Sequence, residues 1–226
     1  MGFFSSIGSF FSGVCSAIGS VCSAIGGAIA ATLSTVAVAL APIIAVALPI
    51  IQAVATLCNI LKPDEKPEDL GRAMEQAAKK PEDFDSTNAY IDYLRGEIQA
   101  GRIDLSRPIT DIEKAAYTSV GCGLTMRAID EKYGIKTSAE FWGTMGTAFK
   151  DGKITDKEVV SILETTGEKN MDINNVGVYI ERKPELANSE KASDISSNIE
   201  TALKKSNPEM SDADISARFN ELLKRD

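Results

Sequence analysis

The first 61 residues of the chain contain no charged side chain, and this feature limits what the chain can fold into. All 24 Lys and Arg residues and all 32 Asp and Glu residues lie from Lys62 onward. A segment without charge favours an apolar environment, whereas the charged remainder favours water. The sequence therefore predicts two parts: an uncharged Gly/Ala/Ser-rich segment over 1–61 that inserts into a membrane, and an acidic soluble helical domain over 62–226.

The length of the uncharged segment favours two membrane spans joined by a turn. A spanning helix needs about 20 apolar residues, and one straight helix of this length would extend roughly 90 Å. The stronger span is 36–61, where Gln52 and Asn59 are the strongly polar side chains. We therefore expect a hydrophobic helical hairpin with its turn at the hydroxyl cluster 32–35 or, alternatively, at Pro42.

The first half of this segment repeats every seven residues, and the pentamer CSAIG occurs twice, beginning at Cys15 and at Cys22. Seven residues are about two helical turns, so the repeat places Ser and Gly on one side and Phe, Ile and Val on the other. Small residues allow close helix packing in a bilayer, and rows of hydroxyls can line a narrow pore. The pattern is compatible with packing alone and with pore lining. The residues predicted to mediate insertion and helix packing are Gly13, Gly19, Ser20, Ser23, Gly26, Gly27, Pro42 and Pro49.

The composition of the acidic half argues against several classes of function. Its net charge is −8, because every charged residue lies here, and nucleic acid is therefore not an expected partner. The chain has no His, which is the commonest general base and metal ligand, and its 4 Cys residues show no CxxC spacing. It also lacks a phosphate-binding loop and a dinucleotide-binding motif. We expect no enzyme activity, no metal and no cofactor.

The acidic half shows apolar residues at helical spacing over most of its length, and no strand pattern is convincing. The stretch 171–178 is ambiguous, because its Asn and Gly residues suggest a loop. The charged stretch KPDEKP at 62–67 predicts a linker at the domain boundary. A long helix is predicted over 109–133, with Thr110 or Asp111 near its start and Gly134 at its end. Within that helix, Gly121 and Gly123 indicate either close packing or a break into two helices. The sequence therefore predicts an all-α fold.

Two parts of the acidic half resemble each other at a constant offset of 51 residues. In each, a helix is followed by a glycine, at Gly101 or Gly152, and by an isoleucine two residues later. The second copy resembles the middle of a calcium-binding EF-hand, with Gly152 at loop position six and Glu158 at position twelve. Phe149 stands at position three, where it cannot ligate calcium. The pattern predicts a degenerate EF-hand-like helix-turn-helix pair without metal.

In its layout, and in the composition and CSAIG repeat of residues 1–61, the chain resembles the small pore-forming effectors of bacterial type VI secretion. The resemblance implies a protein made in the bacterial cytoplasm without a cleaved signal and carried by a secretion-tube or chaperone protein. It further implies an antibacterial toxin that oligomerises in the lipid bilayer of the target cell's inner membrane. A small ion-conducting pore would depolarise that cell, and a membrane immunity protein would protect the producer.

Two other interpretations fit the same sequence. The chain is compatible with a structural or cargo protein of a phage tail or contractile injection apparatus, whose apolar segment is shielded by protein. It is also compatible with a membrane-anchored adaptor whose acidic helices bind a partner protein. Stable oligomers without lipid would favour the first interpretation, and partner binding without residues 1–61 would favour the second.

Overall fold

The computed structural model describes the backbone of residues 28–183 and 186–224 and, within these ranges, the side chains from Pro42 onward. Regular structure in these ranges consists of nine α-helices and one short 3-10 turn, without a β-strand, which confirms the all-α prediction. The helices are α1 (Ala28–Leu57), α2 (Pro67–Gln76), α3 (Thr87–Gln99), α4 (Asp111–Tyr133), α5 (Ala139–Lys150), α6 (Asp156–Glu168), α7 (Ile173–Ile180), α8 (Ala192–Ser206) and α9 (Asp212–Leu222).

Several helices begin and end at residues whose local chemistry is visible in the sequence. The side chains of Thr110, Thr155 and Ser211 each accept a hydrogen bond from the backbone N–H group three residues later. Such caps satisfy donors that have no partner inside the helix. Gly134 ends α4 in the left-handed conformation, with a φ of 65°. The predicted start and end of this long helix are therefore confirmed.

The second half of α1 lies in the centre of the domain. It packs against α4, α5 and α6, and Ile50, Val54 and Ala55 are fully buried. These side chains belong to one continuous apolar core together with side chains from the helices of the acidic half. The core therefore extends across the predicted boundary between residues 61 and 62.

The stretch that connects α1 to α2 is held in place by hydrogen bonds. Arg95 of α3 donates through Nη2 to the carbonyl oxygen of Ile60 at 2.6 Å and through Nε to Oε1 of Glu65 at 2.8 Å. The backbone N–H group of Lys62 donates to the same carboxylate at 3.1 Å. Pro67, the first residue of α2, is buried. The charged stretch between the two helices is thus an ordered part of the domain.

The predicted hairpin is covered by the described residues only in part, because residues 1–27 lie outside them. Helix α1 continues through 32–35, where the sequence predicts a turn, and through both Pro42 and Pro49. Within the part of the chain that the structure describes, no helix is long and apolar enough to cross a membrane. The hairpin as a whole stays a prediction.

Glycines bring α2 and α4 into direct backbone contact. A Cβ atom at Gly121 would overlap the carbonyl oxygen of Pro67, and a Cβ atom at Gly71 would overlap the carbonyl oxygen of Tyr117. Each helix therefore contributes a glycine to the crossing point. Helix α4 is unbroken from Asp111 to Tyr133, so close packing is the correct explanation for the glycine inside it.

The two similar turns of the acidic half share one backbone geometry. Gly101 and Gly152 both have a φ of 71°. In each turn, the N–H group of the residue after the glycine bonds to the carbonyl five residues earlier, as in a Schellman motif. The chain then differs, because α6 begins at Asp156, soon after the second turn, whereas α4 begins only at Asp111.

Candidate functional site

Two of the residues predicted to mediate membrane insertion lie among the described side chains. Pro42 and Pro49 are on α1, and both are exposed. They are seven residues apart, or about two helical turns, and therefore lie on one side of the helix. The other six predicted residues lie outside the described ranges: Gly13, Gly19, Ser20, Ser23, Gly26 and Gly27.

Over residues 42–57, helix α1 has two sides of different exposure. Ile44, Ala47 and Ile51 are buried against the domain. The opposite side is accessible to solvent, and apolar residues recur on it every three or four positions, with the partly exposed Gln52 and Thr56 beside them. We call this surface the outer strip; it consists of Pro42, Ala45, Pro49, Ala53 and Leu57, the last of which is 43% exposed.

The two prolines are tolerated because they lie on the exposed side of the helix. A proline has no N–H group, so Pro49 leaves the carbonyl of Ala45 without its usual helical partner. On a hydrated surface, water can bind that carbonyl. Inside a bilayer, another group has to satisfy it. Whether water or another group binds the carbonyl of Ala45 therefore depends on what surrounds this side of α1.

The contact between α1 and α5 depends on a small residue. A Cβ atom at Gly146 would overlap the backbone carbonyl group of Val46, whereas a Cβ atom at Gly143 would lie 3.7 Å from Cγ2 of Ile43. Residue 43 faces residue 143 and residue 46 faces residue 146, so the two helices run in the same direction here. The backbone of α1 touches the backbone of α5 at Gly146.

The two described cysteines are buried packing residues beside α1. Cys58 lies just after the helix, with its Sγ atom 3.2 Å from the hydroxyl oxygen of Tyr133, and Cys122 is on α4. Burial raises the pKa of the Cys58 thiol and raises the pKa of Cys122 to about 12. Both thiols are therefore protonated at neutral pH and are poor nucleophiles.

A buried ion pair occupies the EF-hand-like turn between α5 and α6. Glu158 is 2% exposed, and Arg218 of α9 donates to its two carboxylate oxygens at 2.9 and 2.8 Å. Nη1 of Arg218 also reaches the carbonyl oxygen of Gly152 at 3.4 Å. The guanidinium thus connects loop positions six and twelve. No group of three or more Cys, Asp or Glu residues that could hold a metal ion occurs in the described part of the chain.

The charge of Glu158 is stabilised from two directions. Burial by itself would raise the pKa of this carboxyl, but the bonds from Arg218 and from the backbone of Thr155 outweigh burial and lower it below its ordinary value. The N–H group of Thr155 donates at 2.7 Å, and Asn207 donates at 3.2 Å. The ion pair therefore joins the start of α6 to α9 and to the end of α8.

We expect Arg218→Ala to lower the free energy of unfolding by about 2 kcal/mol, because Glu158 would remain buried without its cation. Urea unfolding at neutral pH measures the change. The control is Arg127→Ala, which removes a pair with Glu131 on the exposed surface of α4 and should change stability by about 0.5 kcal/mol or less. Equal effects of the two substitutions would show that burial adds nothing to the pair.

Asp130 near the end of α4 has a strongly shifted carboxyl. Its Oδ1 atom accepts hydrogen bonds from the backbone N–H group of Thr137 at 3.1 Å and from the hydroxyl of Thr137 at 2.8 Å. Loss of water on burial nevertheless raises the pKa of Asp130 to about 7, and the neighbouring Glu131 contributes in the same direction. The Thr137 hydroxyl accepts a bond from the indole of Trp142, so the group organises the turn before α5.

The raised pKa of Asp130 predicts that this carboxyl contributes to the pH dependence of stability, and Asp130→Asn should remove that contribution. Between about pH 4 and pH 7, the folded chain retains a proton that the unfolded chain releases, so the contribution of Asp130 to stability falls as pH rises. From about pH 5 to about pH 8, the free energy of unfolding of the Asn variant should rise by about 1 kcal/mol or more relative to that of the wild type. Urea unfolding at both pH values measures this difference. A constant difference between the proteins would contradict the shifted pKa.

Sequence reasoning missed the contact surface of α1, although one signal for it is visible. Gly143 and Gly146 are three residues apart in α5 and therefore lie on one face of that helix. Two glycines on one face permit another helix to approach closely. The pair of Glu158 and Arg218 left no local signal, because 60 residues separate its members.

Comparison with known proteins identifies no relative of this chain: no protein-family model, curated protein or solved structure matches it.

Proposed function

We propose that the protein is an antibacterial toxin that inserts its uncharged N-terminal segment into the membrane of a target cell and forms a small ion-conducting pore. The observation that carries the proposal is the complete absence of charge over residues 1–61 in a chain with 24 basic and 32 acidic residues elsewhere. The outer strip of α1 supports it, since this described part of the segment presents apolar side chains to solvent.

The mechanism follows from the chemistry of the segment. Self-association in the lipid bilayer would bring the Gly and Ser stripe of one copy against the next, with small residues permitting close approach. Hydroxyl and carbonyl oxygens would then be the groups that contact ions, because the segment supplies no charged ring. Leakage of ions through such a pore would dissipate the membrane potential. Delivery by a secretion-tube or chaperone protein and protection by a membrane immunity protein belong to the same proposal.

A second candidate function rests on the buried side of α1. Ile50, Val54 and Ala55 are covered by the helical domain, so protein already shields part of the uncharged segment. A structural or cargo protein of an injection apparatus, with the remaining apolar residues covered by a tube protein, would use the same property. Stable oligomers formed without lipid would favour this function over the toxin.

The test of the toxin proposal is the membrane potential of bacteria that express the full chain. A voltage-sensitive dye should report depolarisation, and a larger dye should remain outside the cells because the pore is small. The control is the 42–226 chain, which retains the buried side chains of α1 that the structure describes. Full-length protein that enters membranes without depolarising the cells would contradict the proposal.

The role of the glycine stripe is tested by a double substitution, Gly19→Leu with Gly26→Leu. We expect loss of conductance, because bulky side chains would separate the packed helices. The matched control is Ile18→Leu with Ile25→Leu, which changes the apolar side of the same two repeats. Conductance that survives the glycine substitutions would show that glycine packing is not the mechanism.

A further inference from the structure

The burial of α1 determines how far along the chain contact with lipid extends. Ile50, Ile51 and Val54 lie in the centre of the core, where they are covered by α4, α5 and α6. Transfer of these side chains to lipid would leave the core without its central helix. A domain of ordinary stability does not remain folded after such a loss. The buried side of α1 therefore has to stay packed in the domain for the domain to remain folded.

The outer strip has no such partner in the described part of the chain. It is defined by apolar side chains from Pro42 to Leu57, the partly exposed Gln52 and Thr56 lie on the same side, and no charged residue occurs anywhere on α1. The helix continues without interruption toward residue 28, and the residues before it are also uncharged. The outer strip therefore directly follows, along the chain, the uncharged residues whose composition is typical of a membrane-inserting segment.

We propose that the outer strip lies against the surface of the lipid bilayer, while the opposite side of α1 stays in the helical domain. The inference rests on the proposed membrane insertion and specifies its geometry. The domain then remains attached at the membrane surface, with α1 lying along that surface. The lipid-facing part of the chain then ends within α1 instead of at Leu61.

The chemistry of the domain indicates which lipid surface the strip fits. The chain has a net charge of −8, and electrostatics therefore oppose approach to an anionic surface. Contact depends on apolar burial at the boundary between headgroups and acyl chains. The expected partner is a bilayer with zwitterionic headgroups, and anionic lipid should weaken the association of the full chain with vesicles.

Vesicle binding of charged variants tests the strip. Ala45→Glu places a carboxylate in the outer strip, whereas Ala217→Glu makes the same change at an exposed position of α9. We expect Ala45→Glu to weaken binding of the full chain to phosphatidylcholine vesicles roughly tenfold, because the charge would have to leave water. Ala217→Glu should bind as the wild type does. Equal binding by both variants would overturn the proposal.

A disulfide tests whether α1 stays in the domain during conduction. A Cβ atom at residue 143 would lie 3.7 Å from Cγ2 of Ile43, so Ile43→Cys with Gly143→Cys places two thiols close to bridging distance. The background carries Cys15→Ser, Cys22→Ser and Cys122→Ala, because Cys122 belongs to the apolar cluster against which Ile43 packs, and each single cysteine variant is a control. Conductance of potassium-loaded liposomes should be the same in the oxidised and reduced double variant.

The outcomes separate this inference from the proposed function. Conductance that is lost on oxidation and restored by reductant would show that α1 must leave the domain, which overturns the inference and leaves the pore in place. Wild-type protein that binds vesicles without conducting ions would contradict the pore. In that case, the comparison of Ala45→Glu with Ala217→Glu still decides whether the outer strip contacts lipid.

Discussion

Deletion of residues 1–61 should leave a chain that no longer unfolds cooperatively. The deletion removes Ile50, Ile51 and Val54, which are fully or almost fully buried. Burial of each such side chain contributes about 1.5–3 kcal/mol. The other buried residues of α1 add to this sum, which becomes comparable with the total stability of a typical domain, about 5–15 kcal/mol. Circular dichroism during urea or thermal denaturation measures the result.

The control for this deletion is the 42–226 chain, which begins with Pro42 and keeps the core side chains of α1. We expect a cooperative transition for this chain. A transition of the 62–226 chain with the same midpoint would show that α1 is dispensable for folding. The result also matters for assays of function, because inactivity of the 62–226 chain would reflect an unfolded domain as well as a missing membrane segment.

Gly146→Ala should lower the free energy of unfolding by about 3 kcal/mol, near the upper end of the cost of overpacking a core. The added methyl group would overlap backbone atoms of Val46 on α1. Backbone atoms cannot move aside as the end of a flexible side chain can, so α1 and α5 would have to separate. Urea unfolding of the full chain measures the change.

The matched control is Gly143→Ala in the same helix, one turn earlier. Its methyl group would lie 3.7 Å from Cγ2 of Ile43, which is an ordinary van der Waals contact. Because alanine is the better helix former, this substitution should stabilise the protein by up to about 1 kcal/mol. Effects of the same sign and size at both positions would contradict the close approach of α1 to α5 at Gly146.

Local chemistry in the sequence determined a large part of the fold. Capping by Thr110 and Ser211 and termination by Gly134 involve residues only three or four positions apart, so the sequence shows both the donor and the acceptor. Helical spacing of apolar residues likewise established the all-α class. Of the predicted site residues, Pro42 and Pro49 are described, and their spacing alone places them on one side of a helix.

The partner of α1 could not be predicted from the sequence. A helix buried in a protein core and a helix in a bilayer are both apolar on every side, so the composition of 36–61 fits either surrounding. The pair of Glu158 with Arg218 could not be predicted either, because 60 residues separate its members and no local pattern marks it.

The sequence by itself therefore determined which residues avoid water and where many helices begin and end, because both depend on composition and on near neighbours. Only the tertiary structure decided that the domain covers one side of α1 and leaves the outer strip exposed. That outcome depends on which distant surfaces fit together, and here the absence of a side chain at Gly146 lets α1 reach the backbone of α5.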